Sequence, residues 1–279
     1  MTAHRRRGLL GLTAAALAAS LALFGTAALP ASADPASSGG VLASRAAKPT
    51  VVLVHGAFAD SSGWSIVAPA LQAQGYPVIA FSNPLRGLDY DSQYLRDFLS
   101  TIQGPVVLVG HSYGGALITN AATGNPNVTS LVYVAAYALA DGESVQAANA
   151  LGGGHSDLTD HLVIRPFPGA AEGDADASID PAFFPELFAQ DLPRAVTKVL
   201  ATSQRPGALS SLVTPSGIPA WETIPSWYMV AKNDRIIPPE AERAMAERAG
   251  STVVEVNSSH VPMLSQPQKV VSLITSAAK

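Results

Sequence analysis

Six short runs of β-branched and apolar residues recur along the chain, each bounded by Gly, Pro, Asn or Asp. They lie at Thr50–Val54, Pro77–Phe81, Val106–Val109, Ser130–Ala135, Ser226–Ala231 and Thr252–Val256. These runs are mostly continuous rather than alternating with polar residues, a pattern typical of parallel strands that are buried on both faces. We therefore expect six strands in one mostly parallel sheet.

Five segments with helical spacing of apolar residues separate or follow these runs. They are Trp64–Gln74, Ser92–Ile102, Ser112–Thr123, Pro239–Ala249 and Pro267–Ala277. Pro239 at the start of the fourth segment and Gly250 just past its end are typical helix start and stop signals. The alternation of strands and helices predicts an α/β fold, a doubly wound sheet with helices on both faces and right-handed crossovers.

The alternation breaks once, between Tyr137 and Pro225. This stretch of about 90 residues contains several prolines, a triple glycine at residues 152–154, and short helical patches at Phe183–Gln190 and Leu192–Ala201. It is too long for a plain loop. The sequence therefore predicts an inserted lid, about residues 138–224, over the C-terminal edge of the sheet.

The first 33 residues have the pattern of an export signal. Three arginines at residues 5–7 precede an apolar, Ala- and Leu-rich run from Gly8 to Leu29, and Ala31-Ser32-Ala33 is typical of a signal peptidase site. This predicts a secreted, extracytoplasmic protein that begins at Asp34 after cleavage, without stable membrane association. A membrane anchor that is retained is the alternative, and the Arg-Arg-Gly-Leu-Leu sequence is also similar to a twin-arginine export motif. Residues 34–48 are predicted to be a flexible leader, and residues 49–279 the folded domain.

Composition narrows the chemistry that this domain could use. The 279 residues contain no cysteine, which excludes disulfides, thiolate metal sites and a cysteine nucleophile. The formal net charge is −4, and the 17 Lys and Arg residues form no basic patch, so nucleic-acid binding has no electrostatic basis. Catalysis would then depend on serine, histidine, carboxylates or a cofactor.

A candidate nucleophile lies in the sequence Gly110-His111-Ser112-Tyr113-Gly114, which matches the pattern G-x-S-x-G. The pattern follows a predicted strand and opens a predicted helix, the context that exposes a serine hydroxyl on a sharp turn above a sheet. The flanking glycines relieve crowding at such a turn. Ser112 is therefore the predicted nucleophile, and a glycine-rich helix start with a structural serine is the alternative.

A candidate oxyanion hole lies in the sequence His55-Gly56-Ala57-Phe58, directly after the first predicted strand. The backbone N–H groups of Ala57 and Tyr113 are the predicted donors, with Phe58 as the alternative to Ala57. Phe58 is also a candidate for the substrate pocket. His55 precedes the nucleophile at a strand end, so we expect it, like His111, to have a structural role.

A catalytic serine needs a base and an acid that orients the base. His260 follows the last predicted strand and is the candidate base. Asp234 follows the fifth strand and is the candidate acid, while Asp141, beyond the fourth strand, is the alternative. His155 and His161, with two aspartates nearby, complete no ligand pattern, so we predict solvated side chains and no metal site.

The motifs HGAF, GHSYGG, KNDRIIPP and SSHVP, in this order over about Thr50 to Ala277, resemble the α/β-hydrolase superfamily. Within it, the chain is similar to small bacterial esterase-like members related to plant methylesterases and hydroxynitrile lyases. The resemblance implies a serine hydrolase that cleaves small-molecule carboxylic esters through an acyl-enzyme and needs no cofactor. Little chain precedes Thr50 to supply the usual antiparallel first strands, so we expect a shortened, six-stranded sheet.

Three other functions on the same fold stay open at this point. A hydroxynitrile lyase would be expected to have a lysine next to the catalytic histidine, where this chain has Val261. A cofactor-free perhydrolase or haloperoxidase would share the triad and differ in the pocket. The last is a non-catalytic ligand-binding member. Receptors often lose the triad, so the intact triad predicted here argues against this function.

Overall fold

The computed structural model of the chain describes residues 47–279. The predicted signal, residues 1–33, and residues 34–46 of the predicted leader lie outside the described residues. Within residues 47–279, no helix is both long and apolar enough to cross a membrane.

The described residues contain nine strands. They are β1 (Thr50–Val54), β2 (Val78–Phe81), β3 (Val106–Ser112), β4 (Val128–Ala136), β5 (Leu162–Arg165), β6 (Asp176–Ile179), β7 (Gly207–Ala208), β8 (Ser226–Ala231) and β9 (Thr252–Val256). Six of them form one sheet in the order β2-β1-β3-β4-β8-β9, and every neighbouring pair is parallel. The predicted six-stranded parallel sheet is therefore confirmed.

Ten α-helices accompany these strands. They are α1 (Val67–Ala73), α2 (Leu88–Ser100), α3 (Tyr113–Ala121), α4 (Val145–Ala148), α5 (Phe184–Phe188), α6 (Arg194–Thr202), α7 (Ser210–Val213), α8 (Pro239–Arg248), α9 (Pro262–Ser265) and α10 (Pro267–Ala277). Helix α2 begins four residues before the predicted start, because its first turn places Leu88 and Asp91 on the buried face. Helix α3 begins just after Ser112 rather than at it.

The strand order places helices on both faces of the sheet. The chain passes from β1 outward to β2 and then crosses back over β1 to β3, so right-handed crossovers put α1 and α2 on opposite faces. Helix α10 packs against α1, and α3 packs against α2. The central strands are covered on both sides as a result, and the side chains of residues 51–54 and 106–109 are buried.

Residues 137–225 form the segment between β4 and β8, here called the insertion. It contains α4 to α7 and a three-stranded antiparallel sheet in the order β5-β6-β7. The sequence predicted the helical patches but not these strands, which are only two to four residues long. Such short strands carry too few apolar positions to be recognised from their pattern.

Two contacts tie the insertion to the loop that follows β2. The Arg86 guanidinium forms an ion pair with Asp176 on β6, at 2.7 Å. The backbone N–H of Ala208 on β7 donates to the carbonyl of Leu85, at 3.0 Å. The loop after β2 lies at the C-terminal edge of the sheet, so the insertion is held at this edge.

Candidate active site

Ser112 lies on a strained turn between β3 and α3. Its backbone has φ 54° and ψ −127°, a left-handed conformation that is rare for residues other than glycine. Such strain costs on the order of 1–3 kcal/mol and persists only where the surrounding structure imposes it. The turn leaves the serine at the C-terminal edge of the sheet, 5% exposed.

Three glycines make room for this turn. A Cβ at Gly110 would lie 2.6 Å from the Gly114 carbonyl oxygen, and one at Gly114 would lie 2.6 Å from the Val54 carbonyl oxygen. At Gly115 it would lie 2.8 Å from the backbone nitrogen of Tyr137. Each neighbour is backbone and cannot move aside easily, so the GHSYGG sequence is required by packing at each of these glycines.

The loop after β1 lies directly against Ser112. A Cβ at Gly56 would lie 2.6 Å from Ser112 Cβ and 3.1 Å from Ser112 Oγ. Within residues 47–279, the N–H of Ala57 donates to no backbone carbonyl. Tyr113 is the first residue of α3, so its N–H has no partner inside the helix. The two predicted oxyanion donors therefore flank Ser112 with their N–H groups not used by the backbone.

His260 and Asp234 meet in the protein interior. His260 Nδ1 lies 2.6 Å from Asp234 Oδ2, and both side chains are fully buried. The other carboxylate oxygen, Oδ1, accepts hydrogen bonds from the backbone N–H groups of Ile236 at 2.7 Å and Ile237 at 3.0 Å. The carboxylate is thus held from both sides and directs the Nε2 atom of His260 away from Asp234.

The structure distinguishes the two candidate acids. Asp141 is exposed in the turn after β4, and no contact joins it to His260. Since His260 Nδ1 is already bonded to Asp234, the geometry of an orienting acid belongs to Asp234. His260 Nε2 is buried and has no hydrogen-bond partner among residues 47–279, which leaves it available for a proton.

His55 and His111 are both engaged in structural hydrogen bonds. His55 Nδ1 donates to the Gly56 carbonyl at 2.9 Å, while Nε2 accepts from the backbone N–H of Asn83 at 3.0 Å. Burial lowers the pKa of His55 to about 4 and that of His111 well below its usual range. His111 Nε2 donates to the backbone carbonyl of His260 at 2.7 Å, so this neutral ring supports the loop that carries His260.

The insertion, which the sequence predicted as a lid, supplies contacts to the site that no sequence pattern specified. The Phe188 ring packs edge-on against the His260 ring, with 4.8 Å between centroids. The side chain of Gln190 donates to the carbonyl of Asn233, next to Asp234, at 2.5 Å. These contacts join residues that are far apart in sequence, and no local pattern indicates them.

Two buried acids near the site were also missed. Asp91 on α2 accepts from the Tyr113 hydroxyl at 3.0 Å and from the backbone N–H of Arg86 at 2.9 Å. Burial raises the pKa of Asp91 to about 6. Glu242 on α8 is the second acid and is fully buried. Asp91 lies between Leu88 and Leu95 on the buried face of α2. Glu242 lies beside Ala241 and Met245 on the buried face of α8, and these positions were the signal in the sequence.

An apolar cleft borders the site. It encloses about 500 Å³, counting the part open to solvent, and Ser112 is not among its lining residues. Its wall includes Phe58, His111 and Val261. These three residues are the sequence neighbours of Ala57, Ser112 and His260, respectively. Side chains from the insertion complete the wall: Phe184, Phe188, Leu200 and Ser203. Phe58 lies in the wall of this cleft, and its role in a substrate pocket stays a prediction.

The histidines of the insertion lie away from these residues. His155 Nε2 is 3.1 Å from Asp157 Oδ1, and the His155 side chain is 85% exposed. His161 stacks on Phe183, with 4.0 Å between ring centroids. Among residues 47–279, no group of three or more His, Asp or Glu side chains is arranged to hold a metal ion.

Comparison with known proteins identifies the family. A sequence profile described as the Alpha/beta hydrolase family matches residues 51–273. This match covers most of the chain, so the chain belongs to the alpha/beta hydrolase family. The resemblance inferred from the four motifs is therefore confirmed.

Individual relatives agree with this assignment. The chain is 28% identical over 254 residues to "Methylesterase 17" of Arabidopsis thaliana, covering 82% of this chain and 91% of that protein. It is 26% identical over 248 residues to a "Pyrethroid hydrolase" of Sphingobium wenxiniae, covering 82% and 87%. The crystal structure of polyneuridine aldehyde esterase superposes with a TM-score of 0.71 at 22% identity, covering 83% of this chain and 100% of that one, which shows a shared fold.

Proposed function

We propose that this protein is a serine hydrolase that cleaves carboxylic esters through an acyl-enzyme. His260 Nε2 takes the proton of Ser112 as Oγ attacks the ester carbonyl carbon, and a tetrahedral intermediate forms. The N–H groups of Ala57 and Tyr113 donate hydrogen bonds to its negative oxygen. The protonated His260 then gives its proton to the departing alcohol, and the acyl group stays on Ser112.

The second half of the reaction uses the same groups in reverse. His260 Nε2 takes a proton from water, whose oxygen attacks the acyl carbon, and the proton is returned to Ser112 Oγ as the acid leaves. Asp234 stays ionised throughout, because it orients Nδ1–H and stabilises the imidazolium that forms in each half. His260 is therefore neutral again at the end of each half-reaction.

This proposal is supported chiefly by the 2.6 Å contact between Asp234 Oδ2 and His260 Nδ1. This buried pair leaves Nε2 without a partner in the described part of the chain, at the sheet edge where Ser112 has its strained turn. The names of the relatives, a methylesterase and a pyrethroid hydrolase, fit an ester substrate.

The apolar cleft supports an uncharged, hydrophobic group in the substrate. Its wall contains Phe58, Trp64, Phe184 and Phe188, and Asp60 is the one carboxylate among the lining residues in the described part of the chain. Pockets that are mostly apolar with few polar groups are typical of small-molecule sites. Substrates with an aromatic or medium-length alkyl group would therefore be favoured over charged esters.

Labelling with a fluorophosphonate probe tests the nucleophile. The wild-type protein should be labelled, and Ser112→Ala should lose both labelling and ester turnover, by about a factor of 10⁴ or more. Ser203→Ala is the matched control, because Ser203 lines the cleft but lies on the insertion. Labelling of Ser112→Ala at the wild-type rate would refute the assignment.

We also propose that residues 1–33 act as an export signal, on the sequence pattern described above. The protein recovered from the medium of its native host should then begin at Asp34. N-terminal peptide mass spectrometry measures this directly, and an intact N-terminus in the membrane fraction would support the retained anchor instead.

A further inference from the structure

Glu242 is a buried carboxyl group that the proposed reaction does not use. It lies in the first turn of α8, and its side chain is 0% exposed. Its neighbours on the same helix face, Ala241, Met245 and Ala246, are also buried. A carboxylate in such a position is costly unless it is paired or neutral, so the contacts of Glu242 decide its state.

The two carboxyl oxygens of Glu242 have different surroundings. Oε2 accepts a hydrogen bond from the backbone N–H of Ala231, at 3.0 Å. Oε1 is buried and receives no hydrogen bond from any residue in the range 47–279. Besides burial, the negative charge of Asp234 and a hydrogen bond between the two side chains both raise the pKa of Glu242.

Glu242 and Asp234 also meet through the backbone. Ala231 is the last residue of β8, and its N–H is held by Glu242. Its carbonyl accepts from the N–H of Asp234 at 3.1 Å. Glu242 therefore supports both the end of the strand and the loop that carries the acid of the triad.

Two buried carboxyl groups can share a hydrogen bond only if one of them carries a proton. Both would otherwise present only acceptor oxygens, and two adjacent buried charges repel strongly. Burial, and then the charge of Asp234, raise the pKa of Glu242 well above its usual range. Asp234 already receives N–H donors at Oδ1 and faces His260 at Oδ2, so the proton belongs on Glu242.

The other groups facing Glu242 do not offset this effect. Arg243 is the nearest cation on the same helix, but its guanidinium is paired with Glu255, at 2.7 and 3.0 Å. Tyr228 on β8 and Tyr137 after β4 are buried phenols whose pKa is raised by burial. Both phenols stay neutral, so the pair of acids carries one net negative charge.

We propose that Glu242 is a positioning residue that acts in its protonated form, with Oε1–H donating a hydrogen bond to the Asp234 carboxylate. This inference rests on the proposed function, in which Asp234 orients His260. The Glu242 donor joins the N–H groups of Ile236 and Ile237, so Asp234 keeps a single orientation toward His260. Loss of the Glu242 proton at alkaline pH would place two carboxylates together and disturb that orientation.

Substitution by glutamine separates this role from a plain packing role. Glu242→Gln keeps both hydrogen bonds, because its amide nitrogen can donate to Asp234 while its amide oxygen accepts from the Ala231 N–H. At pH 7 its kcat should stay within about threefold of the wild type, whereas Glu242→Ala should lose about tenfold or more, since it leaves buried groups unpaired. The kcat of each variant is measured from the hydrolysis of a p-nitrophenyl ester over a range of pH.

The alkaline side of the pH profile is the decisive readout. Wild-type kcat should fall at alkaline pH as Glu242 ionises, and Glu242→Gln should lack this fall. Glu240→Gln is the matched control, because Glu240 lies on the same helix with an exposed side chain and should keep the wild-type profile. An unchanged alkaline fall in Glu242→Gln, or equal kcat in Glu242→Gln and Glu242→Ala, would overturn the proposal.

Stability measurements test the proton on Glu242 without reference to catalysis. A raised pKa means that the folded protein holds a proton that the unfolded chain releases, so wild-type stability falls as pH rises above about 4.5. The difference in Tm between Glu242→Gln and the wild type should therefore grow with pH. A constant difference from pH 5 to 9 would refute a protonated Glu242, even if Ser112 proved not to be the nucleophile.

Infrared spectroscopy of the wild-type protein provides a second readout if Glu242→Gln folds poorly. A buried protonated carboxyl group should be visible at pH 8, where exposed carboxyls are ionised. Its absence would overturn the proposal without any variant. If the carboxyl signal were present but Ser112 were not labelled by the fluorophosphonate, Glu242 would still be protonated. Only its role in catalysis would then be refuted.

Discussion

The carboxylate of Asp191, in the insertion, accepts two hydrogen bonds from Ser259, the residue before His260. The Ser259 backbone N–H lies 2.9 Å from Oδ2, and the Ser259 hydroxyl lies 2.5 Å from Oδ1. The adjacent Gln190 binds the carbonyl of Asn233, the residue before Asp234. Two neighbouring residues of the insertion therefore hold the loops of both the base and the acid.

Removal of this contact should reduce catalysis more than stability. Asp191→Ala is expected to lower kcat for p-nitrophenyl butyrate by about tenfold, because the His260 loop loses a charged two-point hydrogen bond. Asp160→Ala is the control, since Asp160 is an exposed acid of the same insertion. A value of kcat unchanged in Asp191→Ala, with a Tm equal to the wild type, would mean that His260 is held without the insertion.

The choice between the two candidate acids can be measured directly. Asp234→Asn should lower kcat by a factor of about 10³–10⁴, because His260 loses the partner that selects its tautomer. Asp141→Asn should change kcat less than tenfold, since Asp141 is exposed and away from His260. Circular dichroism would verify that both variants are folded, and a reversed order of the two effects would make Asp141 the acid.

The apolar cleft should decide the preference for chain length. Leu200→Trp places a larger side chain in the cleft wall, so kcat/KM for p-nitrophenyl octanoate should fall by about tenfold, while that for the acetate stays near the wild type. Val199→Trp is the control, because Val199 on the same helix is 63% exposed. An equal loss for acetate and octanoate would show that the cleft does not hold the acyl chain.

The buried histidines predict weaker stability in acid. Because burial lowers the pKa of His55 from 6.5 to about 4, the unfolded chain takes up a proton that the folded protein does not, and the free energy of unfolding falls as pH drops from 6.5 to 4. His111 contributes in the same direction. His55→Gln keeps a donor and an acceptor. Its free energy of unfolding, measured with urea, should fall less between these pH values than that of the wild type.

The control for this experiment is His155→Gln, because the His155 side chain is 85% exposed and should not alter the slope. The ionisation of Asp91 changes stability in the opposite direction to that of the histidines. Its pKa of about 6 makes the folded protein hold a proton that the unfolded chain releases above pH 3.8. If His55→Gln had the wild-type slope, ionisation of His55 would not be linked to unfolding.

The sequence by itself determined the central sheet and the residues at its C-terminal edge. Strands β1, β8 and β9 begin and end where the apolar runs predicted. Strands β1 and β8 are buried, as expected for apolar parallel strands that turn residues bound. The expected burial is wrong for β9, which lies at the edge of the sheet with its first four residues exposed. The GHSYGG sequence identified the turn at Ser112 for a local reason, since its glycines are needed within a few residues of the serine.

Only the tertiary structure decided which distant side chains meet. The sequence favoured Asp234 over Asp141 because of the motif around it, but both acids follow strands, and only the structure shows that Asp234 contacts His260. Asp191 reaches Ser259 across 68 positions of sequence. Contacts of this kind depend on the path of the whole chain, because no local preference of either residue specifies its partner.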